Sequence, residues 1–234
     1  YGVSGGEFPK PDADKIRNLF SGIREAAPEL KTLHIDNVNP GTIARHEDAA
    51  RDALAEIVSG HTAGDIAAFG IESADPAVVE ANNLKGSADA IFRAVELVNE
   101  VGAVRNKGIP ELLPGLNFIS GLAGETEQTF AENKAFLKRI FDAGLLVRRV
   151  NIRQLMPFEG TKAYENNTLG KFDKQFHAFK EDVRANFDVP MLERVFPIGT
   201  VFNDVLIEVS GPVSFGRQMG TYPVLIGIPQ KLPV

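Results

Sequence analysis

Four stretches of this chain combine residue types at spacings that ligand chemistry needs. Gly5-Gly6-Glu7 puts two glycines ahead of a carboxylate. Backbone N–H and C=O groups can then approach a small polar ligand, and Glu7 can accept from an ammonium. Taken alone, an ordinary tight turn is the simpler account of the same residues. Glu72-Ser73 follows the apolar run Ile66–Ile71, which puts a carboxylate where ribose hydroxyls or an amine would bind. The competing reading makes Ser73 or Asp75 a helix cap and nothing more. Ile119-Ser120-Gly121-Leu122-Ala123-Gly124-Glu125-Thr126 sets two glycines at a turn where a ligand can meet backbone, with Glu125 suited to a helix amino terminus. Val147–Thr161 gathers Arg149, Asn151, Arg153 and Gln154 around a strand end. Arg153 has the planar fork that holds a carboxylate, although a salt bridge would account for it too.

Other chemistries find no support. The glycine turn is not followed by Gly-Lys-Ser/Thr, so it is no phosphate-binding P-loop. His34, His46, His61 and His177 lack metal-ligand spacing and read as surface or strand-end residues. No Gly-x-Ser-x-Gly elbow or His-Glu-x-x-His helix is present.

The organising element is Leu116–Thr126, an apolar strand running through Gly121 and Gly124 into an acidic helical turn. Such a junction lies at the carboxyl end of a strand, where α/β proteins bind ligands. Around it the spacing predicts helices over Asp12–Ala26, His46–Val58, Ala88–Val101, Glu125–Ala143 and Lys171–Phe187. Strands are expected at Leu33–Asp36, Ile66–Ile71, Leu116–Ser120 and Val147–Ile152, with Val3–Pro9 as the end of an earlier one running into a glycine-rich turn and Asn37–Gly41 as a turn. About five strand–helix alternations argue for a parallel sheet, open or closed into a barrel. After Pro190 the pattern changes to two strands, Val205–Val209 and Tyr222–Ile228, joined by a glycine-rich linker. The expected organisation is therefore an α/β partial (β/α) TIM-type barrel over residues 1–192 and a small, truncated β module over 193–234.

Composition sets outer limits. The 234 residues are 44% hydrophobic and 24% charged, with a formal net charge of −6, which offers no global attraction to nucleic acid or anionic membrane. No apolar run approaches the roughly 20 residues of a membrane span. Cysteine is absent, which excludes disulfides, thiolate metal sites and a cysteine nucleophile within these residues. The chain opens on Tyr1 without an initiator Met or signal peptide and reads as part of a longer, cytoplasmic polypeptide.

Taken in order, the four stretches resemble the radical S-adenosylmethionine (radical SAM) superfamily, nearest the branch of the tRNA methylthiotransferases and related Fe–S oxidoreductases. Gly5-Gly6-Glu7 resembles the GGE motif after the second barrel strand, and Gly70-Ile71-Glu72-Ser73 the GxES motif after the fourth. Phe118–Thr126 is similar to the fifth-strand motif, with Ala123 where proline is usual, and Asn151–Thr161 to the sixth-strand segment. The tail, with Phe215-Gly216-Arg217 and Tyr222-Pro223, resembles part of an RNA-binding TRAM domain.

The resemblance implies an enzyme that, when intact, cleaves S-adenosylmethionine reductively at a [4Fe–4S] cluster to generate a 5′-deoxyadenosyl radical. An electron donor and an unidentified substrate, tRNA among the candidates, would be its partners. It implies that Gly5, Gly6 and Glu7 bind the methionine amine and that Glu72 and Ser73 meet ribose or methionine. Ile119 and Gly121 would flank adenine, and Arg153 would face a carboxylate. The family's CxxxCxxC cluster loop has no counterpart here, and thiolates are what such a cluster needs. These residues alone are therefore expected to be inactive, as a carboxyl-terminal fragment whose open barrel edge invites dimerisation. Two other classes remain open: a non-catalytic RNA-binding protein, and an unrelated TIM-barrel enzyme acting on a phosphorylated substrate.

Overall fold

The computed structural model describes residues 5–106 and 108–234. Asp12 accepts from the Lys15 N–H and caps α1, Ala13–Ala26. Asn39 does the same for α2, Pro40–Arg45, and α3, Glu47–Gly60, follows directly. Strand β1, Asp65–Glu72, leads to α4, Pro76–Ala81, where Asp75 is the cap and Pro76 occupies the first turn. Helix α5, Ala88–Gly102, is capped by Ser87. A minimal antiparallel hairpin, β2 Arg105–Asn106 and β3 Ile109–Pro110, precedes the long strand β4, Leu112–Ser120. Thr126 and Thr129 close a reciprocal capping box on α6, Glu127–Asp142. Strand β5, Arg149–Gln154, is followed by α7, Lys162–Glu165, and α8, Asp173–Val183. A π-helical turn, Arg184–Asp188, joins α8 to α9, Val189–Val195. The chain ends in β6, Leu206–Val209, β7, Ser214–Arg217, and β8, Ile226–Ile228.

Strands β1, β4 and β5 form a parallel sheet with β4 in the centre, and β6, β7 and β8 form a separate antiparallel sheet. This is the expected α/β class with a small β module behind it. Because side chains alternate along a strand, the parallel sheet has two different faces. Phe69 and Ile71, Leu116 and Phe118, and the partly buried Val150 and Ile152 join the core with α5, α6 and α8. An edge-on aromatic series, Phe118 to Phe179 at 5.9 Å and Phe179 to Phe130 at 6.0 Å, ties β4 to α8 and α6. The opposite face carries Ile66 and Leu113 at its amino end, then Ala68, Gly70, Gly115, Asn117, Arg149, Asn151 and Arg153, with Ile119 beside Arg153, so beyond its first row it is mostly small or polar. That face is the interior of a (β/α) barrel, and it positions the site.

Several expectations need correction. Leu33–Asp36 is extended but forms no ladder, touching β1 at one bridge between Asn37 and Ala68. The Ile35 N–H donates to the Asp65 carboxylate and the Leu33 N–H to the Thr62 hydroxyl, so side chains replace the bonds a ladder would use. The turn expected at Asn37–Gly41 is the cap and first turn of α2. The described parallel strands number three rather than five. The strand end expected at Val3-Ser4 lies outside the described residues. Pro190 itself lies in the first turn of α9, where a missing N–H costs nothing, and the strands expected after it begin at β6. The linker expected between two strands of the module contains a third, β7. Gly216 lies in that strand, where a Cβ would clash with the Leu206 carbonyl oxygen, so glycine is what permits the pairing.

The β module docks at the amino ends of the parallel strands. The Arg149 guanidinium lies 4.0 Å over the Tyr222 ring, and Arg148 Nη2 donates to the Tyr222 carbonyl at 3.2 Å. Among the described residues no helix is long and apolar enough to cross a membrane.

Candidate functional site

At the carboxyl ends of the strands the polar face converges on Glu72. A bulge between Gly70 and Glu72 interrupts the pairing with β4 and leaves Glu72 at φ 57°, a left-handed conformation that costs a non-glycine residue about 1–3 kcal/mol. The strain folds the carboxylate back over Gly70, whose missing side chain makes the room. Glu72 Oε2 is buried and has no hydrogen-bond partner among the described residues. Burial pushes the carboxyl up to about 7, against the opposing pull of the Arg153 guanidinium. Arg153 is exposed and forms no ion pair with Glu72, so two opposite charges face one space without contact.

Asn117 and Asn151 floor that space. They are register partners across β4 and β5, and both align with Gly70 on β1. The Asn151 amide stands 3.1 Å from Asn117 and 2.7 Å from Arg153 Nε, and with its oxygen turned to the guanidinium it accepts from Arg153. Asn117 Nδ2 also reaches the Phe69 carbonyl at 3.4 Å.

The turn after β4 lies at the same end of the sheet. Gly121 at φ 99° and Gly124 at φ 81° adopt backbone that side-chain-bearing residues rarely take. Glu125 is 5% exposed and bends back to accept from the Gly121 N–H at 3.0 Å and the Ser120 hydroxyl at 3.0 Å. Burial raises its carboxyl pKa, and the Gly121 N–H works against that rise. Glu125 thus holds the glycine turn, and Thr126 caps the helix in its stead.

The site residues expected from the sequence divide into three groups. Glu72 and Arg153 stand at the carboxyl ends of the strands, close enough for the guanidinium to act on the carboxyl, and Ile119 is the register partner of Arg153. Gly121 lies beside it with its N–H occupied by Glu125 and its carbonyl accepting from the Thr168 N–H. Ser73 turns away: it is 1% exposed, its hydroxyl donates to Asn133 and accepts from the Asp75 N–H, and it serves the core. Gly5, Gly6 and Glu7 are exposed, with positive φ at both glycines, and no hydrogen bond among the described residues joins them to the pocket. Sequence reasoning missed Asn117 and the role of Gly70. The available signal was Asn117 itself, a polar residue inside the apolar run Leu116–Ile119 of a buried strand.

The histidines also need correction, since His34 and His61 are interior. His61 Nδ1 is 2.9 Å from Asp65, and its Nε2 is 3.4 Å from Glu111. His34 Nδ1 is 3.9 Å from the same Asp65, whose side chain is wholly buried. Among the described residues no group of three or more His, Cys, Asp or Glu is placed to hold a metal ion.

No family model matches the chain. It is 47% identical over 230 residues to an uncharacterized protein of Methanocaldococcus jannaschii, covering 96% of this chain and 42% of that one. It is 43% identical over 234 residues to an uncharacterized protein of Archaeoglobus fulgidus, covering 97% and 44%. The chain therefore spans well under half the length of these curated relatives. Among solved structures, coproporphyrinogen III oxidase (HemN) of Escherichia coli, described as a radical SAM enzyme, superposes with a TM-score of 0.52 at 15% identity. That likeness covers 88% of this chain and 51% of HemN, and at such identity it speaks for the fold.

Proposed function

We propose that the chain is the S-adenosylmethionine-binding portion of a longer, cytoplasmic radical SAM enzyme. The observation that carries this reading is the pairing of Glu72 and Arg153 across the strand ends without contact. A carboxylate and a guanidinium facing one space match the ammonium and carboxylate of an amino-acid zwitterion, and the methionine part of S-adenosylmethionine is one. The orphaned Glu72 Oε2 supplies the acceptor an ammonium needs. Asn117 and Asn151 offer amides to ribose hydroxyls, and Ile119 offers an apolar flank to a base. The ligand supplies, when bound in such enzymes, the means of hydrogen abstraction from a substrate.

The chain's own part is to orient the ligand. Glu72 holds the ammonium, Arg153 the carboxylate, and the Glu125-braced turn fixes the backbone at Gly121. The residues present do not fit a [4Fe–4S] cluster, because no cysteine occurs among the 234 and no alternative ligand set is found among the described residues. In this reading the thiolates belong to the remainder of a protein as long as the curated relatives, and the chain alone is inactive. Gly5-Gly6-Glu7 is a further element for the ammonium, brought in by its surroundings in the longer protein. The fold likeness to HemN supports the class without indicating a substrate, and tRNA remains a candidate on the resemblance alone.

The test uses the full-length protein, purified without oxygen and supplied with iron, sulfide, S-adenosylmethionine and dithionite. Bound iron near four per chain together with 5′-deoxyadenosine formation is the expected result. An iron-free protein that leaves S-adenosylmethionine intact overturns the proposal.

A further inference from the structure

A cavity of about 510 Å³ lies at the opposite end of the parallel sheet, between the amino ends of the strands and the β module. Its size falls within the usual range for small-molecule sites. Residues 62–64 and Arg148 form the sheet side, and residues 203–206 and 218–221 the module side.

The charge at this place is unbalanced. Among the described residues, Arg148 Nε is buried without an acceptor, and the guanidinium makes one hydrogen bond, to the Tyr222 carbonyl, and packs 5.0 Å from the Phe196 ring. No carboxylate among the described residues forms an ion pair with it. Burial and the neighbouring Arg149 lower its pKa to about 10, which still leaves it charged at neutral pH. A buried guanidinium without a counter-charge is costly, and an anion relieves it.

His34 adds a second donor. Its side chain is 8% exposed, and its Nδ1 accepts from the Thr221 N–H at 2.9 Å. Burial pushes its pKa down, so the ring is neutral and carries its proton on Nε2. That Nε2 is buried and makes no hydrogen bond of good geometry among the described residues, although the Thr62 and Ala63 backbone lies near it. Both residues line the cavity, where Asp204 is the one carboxylate among the described lining residues, against Lys31 and Arg148. The other walls are largely apolar, including Phe196, Phe202, Met219 and Val224.

We propose that this cavity binds a small oxyanion, a carboxylate or phosphate carried on an apolar body, with Arg148 and His34 as its donors. The ligand bridges sheet and module, because its donors stand on the sheet side while the module supplies the apolar cover. The site is separate from the Glu72 pocket and stands whether or not that pocket binds S-adenosylmethionine.

Calorimetric titration of the full-length protein with benzoate, phenyl phosphate, inorganic phosphate and benzyl alcohol tests the proposal. Saturable binding of benzoate or phenyl phosphate, one molecule per chain, is expected, with inorganic phosphate weaker and the neutral alcohol silent. Which of the two aromatic anions binds tighter identifies the headgroup. The Thr221 amide resonance should shift along the same curve, since its N–H is bound to His34. Arg148→Met should weaken binding by about tenfold or more, and Arg148→Lys, which keeps the charge and loses the fork, by less. Absence of saturable binding of every anion up to roughly 10 mM overturns the proposal and leaves the two donors to buried water. Unchanged affinity in Arg148→Met overturns it too. Should that variant fail to fold, unchanged affinity in Arg148→Lys is the overturning result.

Discussion

Gly70 makes the space that the Glu72 carboxylate fills: a Cβ at position 70 would stand 2.6 Å from Glu72 Oε1. The clash falls on the far end of a flexible side chain and spares the backbone. Gly70→Ala is therefore expected to swing the carboxylate aside while the fold persists. In the full-length protein, affinity for S-adenosylmethionine should fall by about tenfold, the value of one charge-assisted contact. Calorimetry reads the affinity and a thermal melt reads the fold, and a large fall in Tm with affinity unchanged would show that Gly70 serves stability alone.

The raised pKa of Glu72 gives binding and stability opposite pH dependences. Burial moves the carboxyl from 4.5 to about 7, so the folded chain holds this proton more tightly than the unfolded one. The associated stability is fully present below pH 4.5 and is lost as pH rises through about 7. An ammonium ligand, by contrast, needs the ionised form and should bind more tightly as pH rises over the same window. Glu72→Gln should flatten both profiles between pH 5 and 8, and a Tm–pH profile identical to that of the unaltered protein would refute the assignment.

Glu125 is expected to be a stability residue first and a binding residue second. Its carboxylate takes the Gly121 N–H and the Ser120 hydroxyl. Glu125→Ala leaves those donors unpaired and should cost about 1–3 kcal/mol for each one that stays buried, measured by urea unfolding. Gly121→Ala should cost about 1–2 kcal/mol through its positive φ, with further crowding from Leu155 and Leu169, each 3.3 Å from the added carbon.

Asp65 is the other residue whose loss should be severe. It accepts from the Ile35 N–H at 2.9 Å and the Ile66 N–H at 2.7 Å, and it stands 2.9 Å from His61 Nδ1. Asp65→Ala removes an acceptor from interior donors, each worth about 1–3 kcal/mol. The chain's urea midpoint should fall accordingly, and a loss below about 1 kcal/mol would mean that water replaces the carboxylate.

The legible parts of the fold were those with strong periodicity or punctuation. The long helices and the apolar strands around Phe69 and Phe118 are found within a few residues of where sequence places them, and Asp75, one of two candidates, is the cap. What escaped depends on contacts distant in sequence. The segment at Leu33 does not pair as a strand because Asp65 and Thr62, about 30 residues away, receive its N–H groups. β7 was hidden because Gly216 reads as a turn unless the Leu206 carbonyl is known to lie against it. At the site, Glu72 and Arg153 were legible as strand-end residues of useful chemistry. Ser73 was not distinguishable from them, since its turn toward Asn133 follows from the bulge at Gly70.

Strand β1 begins in the Asp65 knot and ends on Glu72. Eight residues of extended chain make it roughly 23 Å long. Tied down at its first residue by two backbone donors and a histidine, it works as a ruler with a fixed zero. A slip of one residue would exchange Phe69 for Gly70 and tear the core, so no intermediate setting exists. The reach of the Glu72 carboxylate is thus decided at the far end of the sheet, by residues that never touch what it holds.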